Sequence, residues 1–120
     1  MKNKLFIFIF LFLPLAAFAQ NSLVPIQVEI GGQRYTFYTS KDVTAQIELR
    51  EAKIERNTSR IDYFNLEKIR IIERKKLSLW DRFFDVEVQE KEKQVNNLKD
   101  ENSRYRSEIS QLNRVLRKLK

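Results

Sequence analysis

From Val88 to Leu119 the sequence repeats every seven residues. With Val88 at position a, the a series runs Val88, Val95, Asn102, Ile109, Leu116 and the d series Lys91, Leu98, Tyr105, Leu112, Leu119. Only Lys91 and Asn102 interrupt an aliphatic and aromatic stripe. A repeat held this strictly marks a coiled-coil seam, so a helix here must lay that stripe against another helix. No Gly or Pro follows Gly32, and nothing downstream breaks a helix by backbone chemistry. The seam is a device for assembly and carries no reaction chemistry.

The seam's partner is the next question. In a parallel pair Glu101 at g would attract Arg106 at the following e, Glu87 and Glu92 would repel, and Gln94 with Lys99 would be indifferent. Asn102 is more selective, because an Asn at a is poorly accommodated opposite an aliphatic side chain and well matched by another Asn. The expectation is therefore a homo-oligomer, a parallel in-register dimer above all. Its seam would be Val88, Val95, Leu98, Asn102, Tyr105, Ile109, Leu112, Leu116 and Leu119. The alternative sets this helix against an earlier helix of the same chain, with Asn102 at a wet edge.

Residues 1–19 read as a cleaved signal peptide: Lys2 and Lys4, an apolar run from Leu5 to Leu13, Pro14, then Ala17-Phe18-Ala19 before Gln20. The apolar run is shorter than the roughly 20 residues that span a bilayer. The segment resembles the leaders of diderm bacteria, which places the chain in the periplasm or outside the cell. The whole chain carries a formal charge of +7, and +5 remains once the two leader lysines are gone. For an exported protein that balance points to an envelope protein or an anionic envelope surface, and not to nucleic acid. Cys and His are both absent, which excludes disulfides and the usual zinc or copper ligands. No metal, cofactor or small-molecule substrate is expected.

Residues 20–39 form the β part. Ile26, Val28 and Ile30 alternate with polar residues, Gly31-Gly32 supplies a turn, and Tyr35 and Phe37 alternate again, a hairpin pattern. An isolated hairpin is marginal in water, so its apolar face needs a cover, in the first instance its own helix. Helix is expected over 40–120, opened by Thr39 or Ser40 with Asp42. Its early face, Val43, Ile47 and Ile54, is thin. Asn57-Thr58-Ser59 suggests a break, with Ser59 and Asp62 as a second cap. The apolar residues from Ile61 to Phe84 do not keep the later register. Ser78 with Asp81 would cap a helix after a turn, giving an antiparallel helical hairpin. That turn would lack Gly, Pro and Asn, so a continuous helix is the preferred expectation, with a reach of roughly 120 Å.

The fold class is thus mainly α: a long helix with a coiled coil at about 85–120 and a small N-terminal β-hairpin. No catalytic constellation is visible, since Glu87, Glu90 and Glu92 read as a solvated helix face and neither His nor Cys is present. Next to Lys75, Lys76 and Arg82, the residues Leu77, Trp80 and Phe84 read first as the thickest layer of a helical core, and Trp80, Phe83 and Phe84 read second as a partner or membrane contact. The chain is expected to be a non-enzymatic, exported structural or interaction protein. In general architecture it resembles the spanin-like coiled-coil proteins of phage lysis cassettes, which implies an envelope-bridging role. It is also similar to OmpH-like periplasmic chaperones, which implies a holdase. That family returns a strand to its body after the arms, where this chain has helical Arg117-Lys118-Leu119-Lys120.

Overall fold

The structure, a computed structural model, describes residues 25–119; the expected signal peptide lies outside them. Strands β1 (Ile26–Ile30) and β2 (Gln33–Phe37) pair antiparallel, Ile26 opposite Phe37 and Ile30 opposite Gln33. Gly31 and Gly32 join them with φ of 59° and 80°, the doubly positive pair that a tight hairpin turn of this twist requires. Helix α1 (Ser40–Lys75), the short α2 (Leu79–Phe84) and α3 (Val86–Leu119) follow. The chain is mainly α with a small N-terminal β-hairpin, as its sequence indicates.

Helix α1 starts where the capping signal stands. Thr39 Oγ1 accepts the Asp42 N–H at 3.3 Å, and Asp42 Oδ2 accepts the Thr39 N–H at 3.3 Å. This reciprocal pair satisfies two of the amides that a helix start leaves open. The helix then passes through Asn57-Thr58-Ser59 without the expected break. Thr58 turns its hydroxyl back to the Ile54 carbonyl at 2.9 Å, and Asn57 points into the molecule, 4% exposed.

The break comes at Lys76–Ser78 instead. Lys76 adopts the left-handed conformation, φ 53° and ψ 48°. Its N–H bonds to the Glu73 carbonyl at 3.3 Å, and the Leu77 N–H bonds to the Ile72 carbonyl at 3.1 Å. These two bonds close the helix as a glycine cap would, though with a lysine in the glycine's place. Ser78 Oγ then accepts the Asp81 N–H at 3.2 Å to open α2. Asp85 opens α3 in turn, its Oδ1 accepting the Val88 N–H at 2.9 Å. The continuous helix is thereby replaced by an antiparallel helical hairpin, in a molecule about 74 Å in its longest dimension.

The core has two centres. At one end Val43 and Ile47 of α1 and Leu112 and Val115 of α3 enclose Ile30 and Phe37 of the β-hairpin, with Ile26, Val28 and Tyr35 at the margin. The hairpin therefore finds its cover on both long helices at once. Midway, Ile61 packs with Val95 and Leu98 beside Phe64. The β-hairpin sits at the open end of the helix pair, and α2 forms the closed end.

Candidate functional site

The heptad positions of α3 turn toward α1 of the same chain. Val88, Val95, Leu98, Asn102 and Leu112 are buried, and Tyr105, Ile109, Leu116 and Leu119 are half-buried. Near the β-hairpin the buried line moves from Leu116 to Val115, 4% exposed, which faces the strands. Lys91, the one cation at d, lays its ammonium over the Phe64 ring at 5.4 Å, an arrangement in which the stem stays apolar and the charge meets the ring's negative face.

The opposing stripe on α1 was hard to see because polar residues occupy part of it. Val43, Ile47, Arg50, Asn57, Ile61 and Ile71 are its buried members, at spacings of three, four, seven and ten that keep one face of a helix. Each polar member meets a polar partner on the second arm. Asn57 Nδ2 donates to Asn102 Oδ1 at 3.0 Å and to Glu101 Oε1 at 2.7 Å. Arg50 Nε donates to Glu108 Oε1 at 2.7 Å. Outside the buried stripe, Lys68 reaches Glu92 of α3 at 3.5 Å, and Lys75 reaches Asp85, just before α3, at 2.9 Å.

The Arg50–Glu108 pair ties the β-hairpin to both arms. Arg50, 6% exposed, also donates to the Tyr35 hydroxyl at 3.1 Å and to the Gln46 side chain at 2.9 Å. Burial alone would pull its pKa down, but the bonds to Tyr35 and Glu108 outweigh that and hold it above its ordinary value. Gly31 lies directly over Glu108: a Cβ there would stand 2.3 Å from Glu108 Oε2. Arg50 and Glu108 were not singled out from the sequence. The available signal was an Arg in phase with Val43, Ile47 and Ile54 on an otherwise apolar face.

The closed end is of another character. Leu79, Trp80, Phe83, Phe84 and Val86 are exposed, Trp80 by 75%, Phe83 by 65% and Phe84 by 76%. Trp80 and Phe83 touch each other, ring centroids 6.1 Å apart. The expectation that Trp80 and Phe84 fill a core layer is corrected, while Leu77, expected in the same layer, is half-buried. The turn at Lys76–Ser78 ends α1 before α2 begins, and the large apolar side chains of α2 stay exposed. Behind them Lys75 bridges Asp85 and Glu87, and Arg74 donates to Glu87 at 3.2 Å.

Charge in this network is held in place. The Val88 N–H and then Lys75 keep the Asp85 carboxyl below its ordinary range. Lys75 keeps the Glu87 carboxyl low, and Glu87, then Asp85, raise the Lys75 ammonium. The network fixes the base of α2 while leaving its apolar side outward. Among the described residues no His, Cys, Asp and Glu gather as a metal site, and no helix is long and apolar enough to cross a membrane. The arrangement offers a contact surface carried at the end of a stiff arm. Comparison with protein-family models, with curated proteins and with solved structures finds no match.

Proposed function

We propose that the chain is a non-enzymatic structural and interaction protein of the bacterial cell envelope, exported by its leader, that uses the helical hairpin as a spacer and the aromatic tip as its contact. The observation that carries this reading is the gathering of Leu79, Trp80, Phe83, Phe84 and Val86 in the open at one end of the molecule. Soluble proteins seldom leave a contiguous group of large apolar side chains exposed without a use for it. The opposite end, by contrast, is closed by the β-hairpin.

Self-association through residues 88–119 takes second place in this reading. A parallel dimer would require α3 to leave α1, and Asn102 to exchange Asn57 for its own copy. A holdase would need arms that stand apart around a client, whereas α1 and α3 pack together.

The test is retention in the envelope of a diderm host expressing the full chain. The chain should appear in the envelope fraction, and Trp80→Ser with Phe83→Ser and Phe84→Ser should release it to the soluble periplasmic fraction with its helicity intact. A chain found in the cytosol overturns export, and a triple variant retained as well as the parent overturns the tip as contact.

A further inference from the structure

We propose that the cavity between the β-hairpin turn and the two long helices binds a small organic oxyanion, a carboxylate or a phosphate ester, between Lys53 and Arg104. The site belongs to the β-hairpin end of the molecule and is independent of the reading above.

The cavity measures about 570 Å³, within the roughly 300–1,000 Å³ of small-molecule sites. Gly31 and Gln33 bound it from the turn, Arg50 and Lys53 from α1, and Arg104 and Tyr105 from α3. No one element could form it. It exists because the hairpin seats itself on both arms.

Net charge does not choose the ligand. Glu108 answers Arg50 at 2.7 Å, and Glu101 stands 3.9 Å from Arg104. The hydrogen-bond inventory does choose it. Arg50 donates to Glu108 Oε1, to Gln46 Oε1 and to the Tyr35 hydroxyl, and that hydroxyl donates to Gln33 Oε1 at 3.5 Å. The guanidinium and the tyrosine thereby engage the acceptor oxygens of the lining. The donors are left over. The amide nitrogens of Gln33 and Gln46, the Lys53 ammonium and the Arg104 guanidinium make no hydrogen bond among the described residues, Arg104 standing 3.8 Å from Glu108 at its nearest. A lining whose oxygens are engaged and whose nitrogens are free is complementary to a ligand that brings acceptors, which describes an oxyanion.

Tyr105 gathers the two cations. Lys53 Nζ lies 5.5 Å and Arg104 Cζ 5.2 Å from the centre of its ring, so one half-buried side chain orients a cation from each arm. Ile30 and Leu49 add an apolar part to the lining. A bare ion would leave that part uncovered, whereas an organic body behind the charged group covers it.

The test titrates the isotope-labelled full chain with galacturonate, galactose phosphate, galactose and inorganic phosphate, following the side-chain amides of Gln33 and Gln46 by NMR. At least one organic anion should shift both amides saturably, and galactose should shift neither. Binding of galacturonate assigns the oxyanion to carboxylates, and binding of galactose phosphate assigns it to phosphate esters. Lys53→Gln and Arg104→Gln should each weaken binding about tenfold, the worth of one charge-assisted hydrogen bond, with far-UV circular dichroism unchanged. Lys53→Arg should retain binding, and so should Lys93→Gln on the exposed surface of α3.

Amides that move with neither organic anion at millimolar concentration overturn the proposal. So does an affinity that Lys53→Gln and Arg104→Gln leave unaltered, or one that Lys93→Gln lowers as much, since the anion would then answer the basic charge of the whole chain. Inorganic phosphate bound as tightly as the organic anions overturns it too, by reducing the cavity to an adventitious ion site.

Discussion

The side-chain amide of Asn57 meets that of Asn102 at 3.0 Å across the two long helices. Both residues are nearly inaccessible, at 4% and 2% exposure. In a seam of aliphatic side chains a buried amide is tolerable only where another amide answers it. The pair consequently fixes how far α3 can slide along α1. The residue that suggested a dimer from sequence finds the same kind of partner within its own chain.

Replacing one member should expose that dependence. Asn102→Ile leaves the Asn57 amide buried with only Glu101 to answer it, and should cost about 1–3 kcal/mol in urea denaturation. Asn57→Ile together with Asn102→Ile should recover much of the loss, as a double-mutant cycle would show. A seam that pairs with a second copy predicts the reverse, a single Asn102→Ile that stabilises the coil and changes its mass by light scattering.

The Arg50–Glu108 pair should tolerate loss of one partner poorly. Glu108→Ala leaves a buried guanidinium without its carboxylate, for which a cost of about 3–5 kcal/mol is expected. Gly31→Ala should also destabilise, through its positive φ and through contact with Glu108. Restoring room with Glu108→Ser in the Gly31→Ala background would relieve the contact but not the backbone strain or the unpaired Arg50. Thermal melts of the three variants separate these contributions.

Lys76 is the position at which a stabilising change is expected. A residue with a Cβ in the left-handed region is disfavoured by about 1 kcal/mol relative to Gly. Lys76→Gly should therefore raise the urea midpoint by the equivalent of about 1 kcal/mol. Lys76→Val should lower it, because β-branching crowds that conformation further.

The network at the base of α2 gives a pH dependence with a defined sign. The Asp85 and Glu87 carboxyls are depressed from ordinary values of 3.8 and 4.5. The stability they contribute is present above those values and is lost as pH falls through the lower, folded ones. Lys75 is raised from 10.5, so its contribution is complete below that value and lost as pH rises past the folded one. Trp80 anisotropy should therefore stay level through neutral pH and drop toward either extreme. By NMR, Lys75→Met should return the Glu87 titration toward 4.5 and that of Asp85 only part of the way, because the Val88 N–H still holds it.

Much of the fold was legible because period and turn chemistry are local. The heptads of α3, the Gly31-Gly32 turn and the Thr39–Asp42 cap each stand as their residues indicate. The helix reversal was legible only in part, since Ser78 and Asp81 announced a cap while Lys76 gave no sign of a left-handed turn. The α1 seam was obscured for a different reason. Arg50, Asn57 and the half-buried Lys68 look like solvated positions until the antiparallel alignment sets Glu108, Asn102 and Glu92 opposite them. That matching is a property of two segments together, and neither segment's pattern contains it. A core place suits Trp80 and Phe84 by their helical spacing, whereas the turn at Lys76–Ser78 ends the long helix before them and leaves them exposed.

The placement of the β-hairpin has a mechanical consequence. Two antiparallel helices joined at one end behave as a pair of tongs, and the free ends are where such a pair first splays. Ile30 and Phe37, gripped between Val43 and Ile47 on one side and Leu112 and Val115 on the other, act as a clasp across those free ends. A push delivered at the tip then travels down both struts as compression and arrives at a joint that cannot open without first pulling the clasp apart. The lever is stiff along the line on which its tip would meet a contact.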